Sequence, residues 1–72
     1  MQHKVNFGER LRILREESNF TEEQLAEKLG IVKQTISKYE KNQREPKYET
    51  LLKIAEIFNV SIDYLFGRTD KR

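Results

Sequence analysis

Lys33, Gln34, Ser37 and Lys38 fall within six residues, and all four side chains suit the edges of nucleic-acid bases. Lysine donates to O6 and N7 of guanine, and glutamine can match N6 and N7 of adenine with two bonds. At helical spacing these four positions share one face, while Ile36 points the other way. A solvated polar face is the plain alternative for such a row. Position separates the two readings, because a groove-reading face has to open the second helix of a tight two-helix corner.

Other chemistries lack the residues they need. The chain has no cysteine, which removes thiolate metal sites, disulfides and a thiol nucleophile. Its one histidine, His3, stands near the N-terminus without a second histidine to share a metal. Ser18, Ser37 and Ser61 have no base to activate them. The Glu16-Glu17 and Glu22-Glu23 pairs read as solvated helix ends, since 72 residues leave little room for a cleft that would perturb them. No enzymatic activity, metal, cofactor or small-molecule ligand is expected of this domain.

The elements that must hold the row are helical throughout. Phe7, Leu11 and Leu14 repeat at four and three, Leu25 and Leu29 at four, and Leu51, Ile54, Ala55 and Phe58 follow one helical stripe. Asn6 to Glu9 and Thr21 to Gln24 read as capping boxes opening helices 1 and 2. Ser18-Asn19 stops helix 1, and Gly30 stops helix 2 in the left-handed conformation. Helix 3 runs from about Lys33 to Lys41 with Asn42 as its stop. Pro46 keeps the preceding stretch out of helical geometry. Helix 4 spans about Tyr48 to Phe58, and Ser61 caps a short fifth helix ending at Gly67. Helices 2 and 3, joined through Gly30, make a helix-turn-helix, with Leu25, Ala26, Leu29, Ile31 and Ile36 inside the corner. Tyr39 is expected to face the core and Tyr48 to be partly buried. The fold class is therefore all-α, a five-helix domain over residues 6–67. A mobile segment precedes it at 1–5, and a frayed tail follows at 68–72.

Charge is distributed unevenly. Fourteen basic and twelve acidic side chains give a net +2, a weak signal alone. Residues 33–47, however, hold five basic side chains against two acidic ones. Residues 16–27 hold five glutamates and no basic residue. The middle of the chain is the part suited to an anionic partner. No apolar run approaches the roughly 18 residues of a membrane span, so a cytoplasmic protein without membrane contact is expected.

Several local motifs then coincide. Leu11-Arg12-x-Leu14-Arg15, Gln24-Leu25-Ala26, Leu29-Gly30-Ile31 and Thr35-Ile36-Ser37-Lys38-Tyr39-Glu40 are followed by Thr50-Leu51-Leu52-x-Ile54-Ala55, Asn59-Val60-Ser61 and Tyr64-Leu65-x-Gly67. In this set, residues 9–67 resemble the lambda-repressor-like (Cro/repressor, XRE) helix-turn-helix family of bacterial and phage regulators. The resemblance implies binding to double-stranded DNA as a homodimer, with helix 3 in the major groove. It implies base reading by Lys33, Gln34 and Lys38, and phosphate contacts around Lys41, Asn42 and Arg44. Thr35 and Ser37 would touch bases or backbone. Arg15 and Glu40 would form a largely buried structural ion pair.

The chain departs from the family at three helix starts. Glu22 stands where Gln commonly meets a phosphate, so that contact is not carried over, and Thr21 and Gln24 are the substitutes. Val32 replaces the usual Ser or Thr cap of helix 3 and offers methyl groups to a thymine. Lys47 replaces a capping Ser.

A two-fold dimer would double a readout of only a few base pairs. Ile62, Tyr64 and Phe66 are candidates for its interface, or alternatively all three cover the base of the core. The resulting expectation is a sequence-specific transcriptional regulator, in this family most often a repressor, on an inverted repeat. The alternative is a protein-binding module on the same fold, a bridging factor or antirepressor target.

Overall fold

Side-chain caps open three of the five helices. The computed structural model describes residues 5–72, with helices α1 (Phe7–Glu17), α2 (Glu22–Leu29), α3 (Lys33–Glu40), α4 (Tyr48–Phe58) and α5 (Ile62–Leu65). His3, and the predicted mobile segment up to Lys4, lie outside the described residues. The Thr21–Gln24 capping box is complete: Gln24 N–H donates to Thr21 Oγ1 at 3.0 Å, and Thr21 N–H to Gln24 Oε1 at 2.9 Å. At α1 only the Asn6 half of the predicted box forms, with Glu9 N–H donating to Asn6 Oδ1 at 3.0 Å. That oxygen also accepts from Asn42 Nδ2 at 2.9 Å, so the α1 cap is tied to the end of α3. Ser61 caps α5 through Tyr64 N–H at 3.0 Å.

Left-handed residues end the segments as the sequence suggests. Gly30 closes α2 at φ 70°, and Asn19, Asn42 and Asn59 adopt φ of 60°, 58° and 54°. Glycine and asparagine are the residues that tolerate this region.

The apolar stripes converge on one core. Leu11, Leu14, Leu25, Ile36, Ile54 and Leu65, from all five helices, are its fully buried side chains. α3 packs against both α2 and α1, and α4 against α2 and α5. α3 is therefore held from two sides. Its approach to α1 is so close that a Cβ on Gly8 would stand 2.5 Å from the Glu40 carbonyl and 2.7 Å from that of Tyr39. Gly8→Ala is therefore expected to destabilise the domain by about 1–3 kcal/mol, as overpacking does, in a urea melt.

Two predicted features differ in the structure. Tyr48 is 68% exposed at the first position of α4 instead of partly buried. Residues 68–72, expected to fray, return to the body: the Arg72 carbonyl accepts from Ser61 N–H at 2.9 Å, and its guanidinium meets Glu17 at 2.9 Å.

Val32 heads α3 without a side-chain hydrogen bond. A hydroxyl there would satisfy an open backbone donor, so Val32→Ser is expected to stabilise by about 1 kcal/mol. A thermal melt would show this as a rise of about 4–8 °C.

Candidate nucleic-acid interface

The outer face of α3 is built by its inner face. Ile36 and Tyr39 are buried, which fixes the helix in rotation and turns Lys33, Gln34 and Lys38 outwards as exposed side chains. Thr35 and Ser37 are half-buried along the edges of that face. Val32 stands 62% exposed at its N-terminal end, where its methyl groups are free to meet an apolar group. The row singled out by residue type is thus one contiguous surface at the start of the second helix of the corner.

The N-terminus of α2 lies beside it. Arg15, Thr21, Glu22, Glu23 and Lys33 line one open cleft between the two helix starts. Thr21 Oγ1 and Gln24 Oε1 are both occupied as acceptors by the capping box. Gln24 therefore has its NH2 group left for an outside acceptor, and the Thr21 hydroxyl can still donate. Gln24 borders a neighbouring recess with Phe20, Glu27 and Lys28, not the cleft itself.

The loop after α3 is bonded back to α1. Asn42, a predicted phosphate contact, is exposed, and its side chain also bonds within the chain. Its Oδ1 accepts from Gly8 N–H at 3.0 Å, while its Nδ2 donates to Asn6. The backbone amides are committed too. Lys41, Asn42 and Gln43 N–H donate to the carbonyls of Ser37, Tyr39 and Lys38. Asn42 is a stitch between α1 and α3, and it remains exposed together with Lys41, Gln43, Arg44 and Glu45. Thirty-four residues separate Asn42 from Gly8, so no local pattern signals this bond.

Arg15 and Glu40 meet end to end. Arg15 Nε lies 2.6 Å from Glu40 Oε2, and Nη2 lies 3.1 Å from Oε1, the two-bond fork expected of this pair. Arg15 Nη1 also donates to the Phe20 carbonyl at 2.8 Å. One guanidinium therefore joins the end of α1, the α1–α2 turn and the end of α3. The pairing raises the guanidinium further above its already high value. Burial pushes the Glu40 carboxyl up, Arg15 draws it back down, and the nearby Glu22 adds to the rise. The two directions are compatible. Two short charge-assisted bonds describe the ionised pair, and the raised carboxyl regains its proton sooner than a free one as pH falls.

The three candidate interface residues separate. Tyr64 is buried within the chain, with the Arg10 guanidinium 3.8 Å above its ring, so it is not available to a partner. This corrects the expectation for Tyr64. Ile62 is half-buried. Phe66 is 40% exposed, and its ring centre lies 5.6 Å from that of Phe7. Phe66, Phe7, Leu51 and Pro46 form an apolar groove edged by Arg44 and Glu45. The buried Arg10 was missed in the sequence. Its signal was a cation placed on the Phe7, Leu11, Leu14 stripe.

Comparison with known proteins places this geometry. The helix-turn-helix family model matches residues 11–65, most of the described chain. The chain belongs to the lambda-repressor-like helix-turn-helix family. The transcriptional regulator ImmR of Bacillus subtilis is 39% identical over 66 residues, covering 92% of this chain and 52% of that protein. The P22 c2 repressor, solved in complex with a synthetic operator, superposes with a TM-score of 0.84 at 29% identity, over 90% of this chain and 98% of that one. SinR, solved in complex with DNA, gives a TM-score of 0.73 at 32% identity, over 82% and 95%. The chain spans about half the length of the ImmR-like relatives it matches. Among the described residues no helix is long and apolar enough to cross a membrane.

Proposed function

We propose that this chain binds double-stranded DNA sequence-specifically as a transcriptional regulator, and that it acts as a repressor in the cytoplasm. Lys33, Gln34 and Lys38 read bases from α3 in the major groove, with Val32, Thr35 and Ser37 at the edges of the readout. Lys41 and Arg44, with Thr21 and Gln24, hold phosphates. The observation that carries this reading is the exposed donor-rich face at the start of α3, on a helix locked from behind by Ile36 and Tyr39. The P22 c2 repressor and SinR, both solved on DNA, support it by similarity.

The working unit is a homodimer on an inverted repeat. Ile62, Phe66 and the groove beside Phe66 supply its apolar contact.

Selection of bound duplexes from a random pool by the purified chain tests this directly. An enriched inverted repeat, with half-sites about one helical turn apart, is the expected result. Binding should weaken with salt at a log–log slope of about −0.9 per phosphate contacted. A folded chain that enriches no sequence would overturn the reading and favour a protein-binding role.

A further inference from the structure

Val32 is the apolar side chain that folding leaves unused. It is 62% exposed, whereas Ile13 and Leu52, the other exposed aliphatic residues among those described, reach only 36% and 38%. It belongs neither to the core nor to the residues packed against it. It makes no cap for α3, at a position where a hydroxyl would satisfy an open backbone donor. Its place is nonetheless fixed. The preceding Ile31 packs against the core, and its N–H donates to the Ala26 carbonyl at 3.0 Å. The Val32 carbonyl accepts from Thr35 N–H at 3.0 Å, which opens the first turn of α3. The backbone is thus held on both sides of Val32, and a branched Cβ restricts its first side-chain torsion. Two methyl groups therefore stand in a set position at the N-terminal end of the exposed face that carries Lys33, Gln34 and Lys38.

Few groups in a major groove suit such a side chain. The base edges present hydrogen-bonding groups, and the apolar exception is the C5-methyl group of thymine. Cytosine carries only hydrogen at that carbon. In 5-methylcytosine the methyl returns to the same edge while pairing with guanine is kept. Lys33, the next residue, donates to guanine in the proposed function, so C·G pairs fall within the same readout. We infer that Val32 is a methyl reader: it packs on the C5-methyl group of one pyrimidine in each half-site, so affinity depends on whether that carbon is methylated, in thymine or in 5-methylcytosine. This rests on the DNA-binding reading and deepens it. The contact uses no charge, so it acts at one position and leaves the salt dependence as it is. Cytosine methylation within a binding site is then a signal that this surface reads.

The test uses the inverted repeat recovered from the random pool, with an unrelated duplex beside it. Each thymine of a half-site, together with its symmetry mate, is replaced in turn by deoxyuridine, which removes the methyl group alone. One symmetric position should lose about fourfold in affinity per half-site, the scale of one buried methyl group. For the dimer this becomes about fifteenfold, since distant contacts add. A C·G pair is then placed at that position with and without the C5-methyl group, and the methylated duplex should bind more tightly by a similar factor. Val32→Ser should bind thymine and deoxyuridine duplexes alike, and methylated and unmethylated cytosine alike. Gln34→Ala should bind more weakly and keep the methyl preference, and the unrelated duplex should show none. Thermal melts confirm that each variant is folded. If no position responds to loss of the methyl group, or if Val32→Ser retains the full response, the methyl reader is overturned while DNA binding stands. A response to the thymine methyl with none to that of 5-methylcytosine would overturn the reading of cytosine methylation. Failure of all the folded proteins to bind any duplex would overturn the DNA-binding reading and the methyl reader with it.

Discussion

Replacing Arg15 by Met is expected to lower the melting temperature by more than about 10 °C, from a loss of about 3–5 kcal/mol. The loss exceeds that of an ordinary surface pair because of what stays behind. The Glu40 side chain is only 6% exposed. Without Arg15 it keeps its burial and the neighbouring Glu22, and loses its cation. The Phe20 carbonyl loses its guanidinium donor as well. Glu40→Ala should cost less, because Arg15 would retain the Phe20 carbonyl and the attraction of Glu22. The double replacement Arg15→Met with Glu40→Leu should recover much of the loss, since an apolar pair leaves no orphaned charge. The pH dependence has a definite sign. In Arg15→Met, burial and Glu22 both raise the Glu40 carboxyl. A raised carboxyl favours the folded state where it is protonated, so the deficit should shrink as pH falls through its folded value. Melting curves of the four proteins from neutral pH downward check this. An unchanged curve for Arg15→Met would mean that the pair does not hold the helices together.

How far the sequence carried this picture follows from the range of the interactions. Helix limits were legible because caps and stops act over three or four residues: Thr21 with Gln24, Gly30 in the left-handed region, Ser61 with Tyr64. The outward face of α3 was legible for the same reason, since Ile36 and Tyr39 fix its rotation within two turns. Contacts across the chain were not. Asn42 looks like a free loop residue until its partners Asn6 and Gly8 are seen. Tyr64 looks like spare apolar surface until Arg10 covers it. The Arg15–Glu40 pair spans 25 residues, and what pointed to it was the family resemblance, not any local pattern.

The remaining large effect separates reading from holding. On the recovered inverted repeat, Gln34→Ala would remove the proposed two-bond contact from each half-site. At about 1–3 kcal/mol per contact, the dimer should lose about 2–6 kcal/mol, while its binding to unrelated DNA stays nearly unchanged. Repeating the selection with this variant should relax one base pair in each half-site, related by the two-fold axis. Arg44→Ala works through a different interaction. Its exposed side chain follows the internally bonded turn at the end of α3, where it can meet phosphate but contributes no base information. It should weaken specific and unrelated duplexes by the same factor and make the salt dependence shallower by about one contact per protomer. The two variants differ in the ratio of specific to unspecific binding, which Gln34→Ala lowers and Arg44→Ala leaves alone. If both variants lost affinity equally on the two duplexes, α3 would be gripping the backbone, and the face defined by Lys33, Gln34 and Lys38 would not be the reading surface.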